Sequence, residues 1–255
     1  MRAVIEAEQA SLGTFLSLGS PMTAEACAVG GFDWVLIDLE HGAGDETAMA
    51  AQVRAAAMHG VPSLVRVESA ERIRSGRVLD LGGSGVMFPR LDTAEEVRAA
   101  VRHLRYPPHG DRGVATYHSA AGFGLHPETL LTANGETVCI VQIETAEAMG
   151  NLEEIAAVPG VDVLFVGPRD LSAALGVPGE FTAPAYLGAL EAVTTAAKAA
   201  NIRSGILAPD VDRANRALAS GFSFIAISSD STFIATGARN SVDQVRQTNG
   251  LRAHQ

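Results

Sequence analysis

CIVQIE, residues 139–144, is an apolar run that ends in polar side chains suited to catalysis. Three other runs have the same form: DWVLIDLEH at 33–41, SLVR at 63–66 and VLFVGPRD at 163–170. In a parallel α/β barrel the carboxyl ends of all strands open onto one face, so polar residues that end different strands converge there. The four runs therefore indicate an enzyme whose cleft lies at one end of such a barrel.

Eight short β-like segments can be identified along the chain, and their near-continuous hydrophobicity is typical of strands buried on both faces. They cover residues 14–18, 33–38, 63–67, 85–89, 138–143, 162–166, 203–207 and 223–228. Helical patterns separate most of them, and several begin with Ser, Thr or Asp and end at Gly or Asn. Eight strands that alternate with helices favour a single (β/α)8 TIM barrel over an open doubly wound sheet.

One long segment interrupts this alternation, RYPPHGDRGVATYHSAAGFGLHPETLLTANGET at 105–137. Its Pro and Gly content indicates an ordered excursion, either a functional loop or lid near the cleft or a merely structural one. No internal linker divides the chain. We therefore expect residues 1–255 to form one barrel domain.

Charge and hydropathy exclude two classes of partner. The formal net charge is -10 and the sequence has no basic cluster, whereas nucleic-acid binding needs a concentrated Lys/Arg face. No apolar stretch approaches the roughly 20 residues that cross a bilayer, and MRAVIEAEQASLG lacks a charged region followed by an apolar one. We therefore expect a cytoplasmic protein that acts on small molecules, with neither a nucleic-acid nor a membrane partner.

The sharpest pair of candidate residues is Glu144 and Asp170, which stand at or just beyond the ends of two predicted strands. If those strands are neighbours, about 4.8 Å apart, the two carboxylates can approach one cation. Oxygen ligands favour Mg²⁺ or Mn²⁺ over zinc, and two carboxylates leave positions free for water and substrate. Alternatively, each is a helix-capping acid that faces solvent.

Asp38, His41 and Arg66 lie at or just beyond the ends of two other predicted strands. An acid three residues before a histidine can orient the imidazole and raise its basicity, which would make His41 a general base. An isolated surface histidine near a turn is the commoner case. Arg66 would lie inside the cleft of a barrel, where its guanidinium could stabilise an enolate or hold a carboxylate. An arginine in a peripheral salt bridge is the alternative.

The chain contains a single lysine, Lys198, in what reads as the last turn of an outer helix. A Schiff-base mechanism needs a lysine inside the cleft. If this barrel cleaves carbon–carbon bonds, a metal ion must therefore serve as the electron sink.

Over nearly the whole chain, from about residue 12 to 238, the sequence resembles the HpcH/HpaI aldolase/citrate lyase family. The resemblance is carried by IDLEH, LVR, the stretch MFPRLDTAEEVRAAVRHLRYPPHGDRGV, and the combination of QIET with GPRDLS. Within the family the chain is most similar to class II, metal-dependent pyruvate aldolases. The resemblance implies a (β/α)8 barrel whose last helix, in the segment 228–255, is exchanged between protomers of a homohexamer built as a trimer of dimers.

The resemblance also implies roles for individual residues. Glu144 and Asp170 match the metal ligands, His41 with Asp38 the acid/base pair, Arg66 the enolate-stabilising arginine and Gln142 a polar group beside the metal. The turn Gly167, Pro168 and Arg169 would lie against the carboxylate of pyruvate. The family often has a small residue where this chain has Arg169, whose side chain reaches the acceptor aldehyde or points to solvent.

The sequence as a whole predicts a class II aldolase that converts a 4-hydroxy-2-oxoacid reversibly to pyruvate and an aldehyde. The expected cofactor is Mg²⁺ or Mn²⁺, with Co²⁺ a further candidate. One alternative is an acyl-CoA lyase of the citryl- or malyl-CoA type, which a basic groove for the CoA phosphates would favour. Another is a barrel that binds a keto acid without turnover, although such a binder would have no need of the proposed base.

Overall fold

Eight parallel strands pair in chain order, and β8 returns to β1 to close the sheet into a barrel. In the computed structural model, which describes residues 1–251, the strands are β1 (Ser11–Leu16), β2 (Trp34–Asp38), β3 (Ser63–Arg66), β4 (Gly85–Phe88), β5 (Val138–Ile143), β6 (Val163–Val166), β7 (Arg203–Ala208) and β8 (Phe224–Ser229). The predicted (β/α)8 barrel is confirmed. The largest error in the predicted bounds is at β1, which begins at Ser11 rather than at residue 14.

Helices follow or precede the strands around the outside of the barrel. They are α1 (Arg2–Glu6), α2 (Pro21–Val29), α3 (Glu46–Ala57), α4 (Arg72–Asp80), α5 (Ala94–His103), α6 (Thr129–Glu136), α7 (Ala146–Gly150), α8 (Leu152–Ala156), α9 (Pro168–Ala174), α10 (Pro184–Ala199), α11 (Val211–Ala219) and α12 (Asp230–Asn249). Their starts follow local chemistry: at α5, Thr93 and Glu96 form a reciprocal capping box. Among residues 1–251, no helix is both long enough and apolar enough to cross a bilayer.

Aromatic and aliphatic side chains fill the barrel interior up to the layer beneath its carboxyl end. The rings of Trp34 and Phe224 stack with centroids 4.1 Å apart, and Phe165 packs edge-on against Phe224. A Cβ at Gly13 would lie 2.1 Å from the Trp34 ring, so glycine is required there to admit the indole. This packed interior leaves the carboxyl end of the barrel as the place for a cleft.

Side chains alternate between the two faces of each strand, and this alternation determines which polar side chains point into the carboxyl end of the barrel. On β2, Trp34 and Leu36 belong to the interior cluster, while Val35 and Ile37 pack against the helices. Side chains on a strand point alternately to opposite faces, so Asp38 continues the inward series. The same rule places further residues on the inner face, because each lies two or four positions after a residue of the interior cluster. They are Arg66 after Leu64, Gln142 and Glu144 after Ile140, and Gly167 after Phe165.

The amino end of the barrel is closed by the first helix. Met1, Val4 and Ile5 of this segment pack against the interior cluster. Arg2 forms an ion pair with Asp162, the residue before β6. The amino end is therefore sealed by apolar contact and by a charge that has a partner.

The long segment 105–137 connects the end of α5 to the start of β5, so it lies at the amino end of its own barrel and along its outside. The side chain of Arg112 is buried and donates to Asp80 Oδ1 of α4 at 2.7 Å. Ser119 Oγ donates to the carbonyl of the same Asp80 at 3.2 Å. The interpretation of this segment as a lid near the cleft of its own barrel is wrong, because the segment follows a helix and precedes a strand.

Helix α12 is attached to the barrel only near its start. The Asp230 carboxylate is buried and accepts hydrogen bonds from the Ser17 backbone N–H at 2.8 Å and from Thr23 Oγ1 at 2.8 Å. Beyond this first turn, apolar side chains remain exposed on the helix, including Val242 and Val245. The predicted exchange of this helix between protomers stays a prediction; residues 252–255 of the segment lie outside the described residues.

Candidate active site

The centre of the cleft is a buried ion pair between neighbouring strands. Asp38 on β2 and Arg66 on β3 are register partners. The guanidinium donates from Nε to Asp38 Oδ1 at 2.9 Å and from Nη2 to Oδ2 at 2.7 Å, and its Nη1 lies 3.1 Å from Glu40 Oε2. The Phe15 ring packs 5.2 Å from the guanidinium carbon. Arg66 is thus held on three sides in a fixed orientation.

Burial acts to lower the Arg66 pKa, but the hydrogen bonds and charge of Asp38, together with the charge of Glu40, raise it above its ordinary value. The guanidinium therefore stays charged inside the cleft. A cation that is always present and cannot rotate freely is suited to stabilising negative charge that develops on a substrate.

His41 lies at the rim of the cleft rather than within it. Asp38 Oδ1 accepts from the backbone N–H of Glu40 at 3.1 Å and of His41 at 3.2 Å. The His41 side chain is 71 % exposed, and its Nε2 lies 4.0 Å from Glu40 Oε2. Asp38 thus orients the His41 backbone rather than its imidazole. The register of β2 with β3 places Arg66 beside Asp38, and both carboxylate oxygens accept hydrogen bonds from its guanidinium. The acid nearest to the ring is Glu40.

Glu144 is buried at the end of β5, with 5 % of its surface exposed. Its Oε1 accepts from the backbone N–H of Arg90 at 3.2 Å, and its Oε2 accepts from the amide of Gln142. The Gln142 amide oxygen is buried and has no hydrogen-bond partner among the residues described. A buried polar atom without a partner carries a desolvation cost, so its presence beside a buried carboxylate indicates a binding site.

Burial, together with the negative charges of Asp170 and Glu40, raises the pKa of Glu144 to about 7, while Arg66 and the Arg90 N–H oppose the shift. The influence of Asp170 shows that the two carboxylates share one electrostatic environment. Repulsion between them disfavours full ionisation unless a cation is added.

The turn Gly167 to Asp170 brings the start of α9 against Glu144. A Cβ at Gly167 would lie 2.6 Å from Glu144 Oε2 and 2.8 Å from Gln142 Nε2. Gly167 has an ordinary φ of −89°, so close approach is the reason for glycine here. Pro168 begins the helix, and Arg169 and Asp170 in its first turn have exposed side chains.

These donors fit a partly enclosed divalent cation. The carboxylates of Asp38, Glu40 and Glu144 surround the guanidinium of Arg66, and the exposed Asp170 adds its negative charge beside Glu144. The free amide oxygen of Gln142 adds a neutral oxygen. Hard oxygen ligands of this kind suit Mg²⁺ and Mn²⁺. No group of three or more His, Cys, Asp or Glu side chains within 1–251 is arranged to enclose an ion. The assignment of Glu144 and Asp170 as the metal ligands stays a prediction.

Two residues of the site were not identified from the sequence. Glu40 lies in the run IDLEH but has no assigned role there, and Arg90 follows β4 in MFPR. The signal for Arg90 was available, because it is a polar residue that follows a buried strand, like the residues that were identified. The signal for Glu40 was weaker, because its approach to Arg66 depends on the turn after β2.

The model of the HpcH/HpaI aldolase/citrate lyase family matches residues 11–236. The chain is 42 % identical over 240 residues to the hydroxypyruvate/pyruvate aldolase of Paraburkholderia phytofirmans, covering 92 % of each chain. It is 38 % identical over 229 residues to the 5-keto-4-deoxy-D-glucarate aldolase of Klebsiella pneumoniae, covering 90 % of each. A solved structure of a family protein from Burkholderia cenocepacia has 39 % identity and a TM-score of 0.92 over 96 % of this chain and 98 % of that one. The chain belongs to the HpcH/HpaI aldolase/citrate lyase family.

Proposed function

We propose that this protein cleaves 4-hydroxy-2-oxoacids to pyruvate and an aldehyde, and catalyses the reverse addition. Its curated relatives are named as aldolases, and the chain is accordingly a carbon–carbon lyase of the pyruvate aldolase kind. The observation that carries the proposal is the meeting of the Asp38–Arg66 pair with the raised-pKa carboxylate of Glu144 at one end of the barrel.

Glu144 and Asp170 would hold a divalent ion, for which Mg²⁺ and Mn²⁺ are the candidates and Co²⁺ a further one. When bound, such an ion supplies Lewis acidity that polarises the 2-keto group of the substrate. The two carboxylates then ionise together, because the cation offsets the repulsion that raises the Glu144 pKa.

Arg66 would stabilise the pyruvate enolate. When the bond between C3 and C4 of the substrate breaks, its electron pair passes to C3 and negative charge develops on the 2-keto oxygen. A guanidinium already fixed by Asp38 and Glu40 needs no reorganisation at that moment, which is the condition for effective electrostatic catalysis.

His41 would take the proton of the 4-hydroxyl as the aldehyde forms. Its exposed imidazole lies at the rim, and Asp38 holds the backbone from which it extends. A rim position suits a base that acts on C4, since with the pyruvate half held beside Glu144 the aldehyde half would extend toward the rim.

The turn at Gly167, Pro168 and Arg169 would contact the carboxylate of pyruvate through its backbone. Gly167 permits this approach because it has no side chain to occupy the space beside Glu144 and Gln142. The Gln142 amide would orient Glu144 and offer its free oxygen to the ion or to a water molecule bound beside it.

The test is to measure pyruvate release from a panel of 4-hydroxy-2-oxoacids after removal of metal and after addition of Mg²⁺, Mn²⁺ or Co²⁺. We expect no turnover without metal and recovery with it. Borohydride with pyruvate should not inactivate the enzyme, and Lys198→Gln should retain activity, because the lone lysine is exposed on α10. Full activity in metal-free protein would refute the mechanism.

We further propose that the protein works as a homohexamer, a trimer of dimers, in which α12 is exchanged between protomers. The support is the exposed apolar side of α12, which a partner protomer would cover. Light scattering should give a hexamer, and Val242→Asp with Val245→Asp should dissociate it. A fully active monomer at micromolar concentration would contradict the proposal. The cytoplasmic location stays a prediction.

A further inference from the structure

We propose that Arg90 and Arg169 together recognise an anionic group on the acceptor half of the substrate, so that the enzyme prefers aldehydes that carry a carboxylate, phosphate or sulfonate. The proposal rests on the proposed function, because it concerns the same cleft. It assigns a specificity role to two side chains that the reaction itself does not require.

The barrel places these arginines on either side of the reacting centre. Strand β5, which leads into Glu144, lies between β4 and β6. Arg90 follows the end of β4 at Phe88, and Arg169 follows the end of β6 at Val166. Parallel neighbours are about 4.8 Å apart, so residues just beyond the ends of alternate strands stand about two strand spacings from each other. An anion above Glu144 would therefore lie between them.

Arg90 is fixed by contacts of its backbone and of the turn that follows. Its N–H donates to Glu144 Oε1 at 3.2 Å, and its φ of 51° lies in the left-handed region. That conformation is uncommon for a residue other than glycine and persists where the surroundings determine it. The carbonyl of Asp92, two residues on, accepts from the Asn151 amide at 2.8 Å. The exposed Arg90 side chain thus projects from a rigid base.

Arg169 is fixed in a similar way. It lies in the first turn of α9 between Pro168 and Asp170, and its carbonyl accepts from Ser172 Oγ at 2.9 Å. Ser172 is fully buried. Because the backbone is already anchored in this way, binding a ligand there requires ordering of the Arg169 side chain alone.

Within residues 1–251, neither the Arg90 nor the Arg169 guanidinium has a hydrogen-bond or ion-pair partner, although carboxylates of the cleft lie near both backbones. Other arginines close to carboxylates are paired: Arg66 with Asp38, Arg112 with Asp80 and Arg2 with Asp162. Two exposed guanidinium groups without partners, which extend from anchored backbones at the rim of an acidic cleft, are available to engage an anion that comes from solution.

Charge balance gives the reason for such a pair. The cleft contains four carboxylates and one buried guanidinium, so it remains acidic even after a divalent ion is added. An anionic acceptor would be repelled by this charge, in a protein whose net charge is already -10. Two guanidinium groups at the rim offset the repulsion and can bind an oxyanion through paired N–H groups. A neutral acceptor gains nothing from them.

The experiment compares matched acceptors in the aldol addition to pyruvate with added metal. The pairs are succinic semialdehyde against butanal and glyceraldehyde 3-phosphate against glyceraldehyde, which separate carboxylate from phosphate recognition. The variants are Arg169→Gln, Arg90→Gln and the double variant. The control is Arg54→Gln with Arg98→Gln, which removes two exposed arginines of the outer helices α3 and α5.

We expect each single variant to lower kcat/KM for the anionic acceptor about tenfold relative to its neutral counterpart, the usual strength of a charge-assisted hydrogen bond. The double variant should lower the ratio further, and the control pair should leave it unchanged. Since charges at the surface are screened beyond about 10 Å at 0.1 M salt, the parental preference for the anion should also shrink as salt is raised.

The proposal is overturned if the arginine variants reduce both members of a pair equally, or if the control pair shifts the ratio as much as they do. Exchange of pyruvate methyl protons with deuterated solvent separates this result from failure of the proposed function. Parental protein that exchanges those protons supports the aldolase whatever the acceptor ratios are. If it neither exchanges them nor adds any acceptor, the aldolase proposal itself is wrong.

Discussion

The two ends of the barrel use the same kinds of polar residue to opposite effect. At the amino end, Arg2 pairs with Asp162, and Arg203 donates to the carbonyls of Ile5 and Gln9. At the carboxyl end, the Gln142 amide oxygen is buried without a partner, and the pKa of Glu144 is raised to about 7. The paired charges of Arg2 and Asp162 stabilise the fold, whereas the free Gln142 oxygen beside the Glu144 carboxyl of raised pKa marks a place where a ligand can complete the structure.

The largest effect should come from removing the carboxylates at the unsatisfied end. We expect Glu144→Gln and Asp170→Asn each to abolish metal-dependent turnover, because each removes an anionic ligand of the ion. The fold should be retained, since neither carboxylate forms an ion pair with another residue in the described chain. Calorimetric titration with Mn²⁺ measures the loss of metal affinity, and unchanged affinity would exclude these residues as ligands.

Arg66→Lys should reduce enolate formation by about 10²- to 10³-fold, as expected for the loss of a fixed donor to a developing oxyanion. Lysine keeps the charge near Asp38 and Glu40 but cannot form the paired contacts. The measurement is the exchange of pyruvate methyl protons with deuterated solvent. If the variant exchanges these protons at the parental rate, Arg66 stabilises the fold rather than the enolate, as Arg2 does at the amino end of the barrel.

His41→Ala should lower the rate of aldol cleavage about 10²-fold or more, the range for a positioned general base. Metal and pyruvate binding should persist, because the imidazole is exposed and Asp38 contacts only the His41 backbone. Comparing cleavage with pyruvate proton exchange separates the two steps. An equal loss in cleavage and in proton exchange would show that His41 does not act specifically on the 4-hydroxyl.

In metal-free protein the Glu144 carboxyl should make stability depend on pH. Its pKa is raised from 4.5 to about 7 on folding, so the neutral form stabilises the folded state below about pH 4.5, and this stabilisation is lost as pH rises through 7. Glu144→Gln should remove that loss, a difference on the order of 2 kcal/mol at pH 8. Denaturant unfolding with chelator at pH 5, pH 6 and pH 8 tests this. Added metal should stabilise the parental protein more at pH 8 than at pH 6.

The smallest effect on catalysis should come from the satisfied end. Arg2→Ala should leave kcat/KM unchanged while lowering the free energy of unfolding by about 2 kcal/mol, because it leaves the Asp162 carboxylate without its cation. Thermal unfolding measures the loss, with Arg98→Ala on the outer surface as a control that should show none. A fall in activity without a fall in stability would contradict the division of the barrel into a structural and a reactive end.

Much of the site could be predicted because the carboxyl ends of parallel strands meet at one end of a barrel. Asp38, Arg66 and Glu144 could be placed at the carboxyl end from the sequence because each ends or follows a buried apolar run, and Gln142 was added by the family resemblance. The pairing of those residues could not be predicted. Asp38 was expected to orient the imidazole of His41, but the register of β2 with β3 places Arg66 beside it instead.

The segment 105–137 illustrates a second limit. Its Pro and Gly content indicated an ordered loop, but composition does not state at which end of the barrel a loop lies. The order of the elements decides this, since the segment follows α5 and precedes β5. Arg90 shows a related limit: the sequence marks it as a polar residue that follows a buried strand, but only the tertiary structure shows that its backbone N–H donates to Glu144.

The sequence by itself determined the barrel and the end at which its polar residues gather, because hydrophobic periodicity and the parallel arrangement of strands require nothing beyond local order. Only the tertiary structure decided which charges neutralise one another. The partner of Arg66, the raised pKa of Glu144 and the unpaired guanidinium groups of Arg90 and Arg169 depend on distances between strands that are far apart in sequence. Those distances follow from strand register, and Coulomb energies depend on them directly.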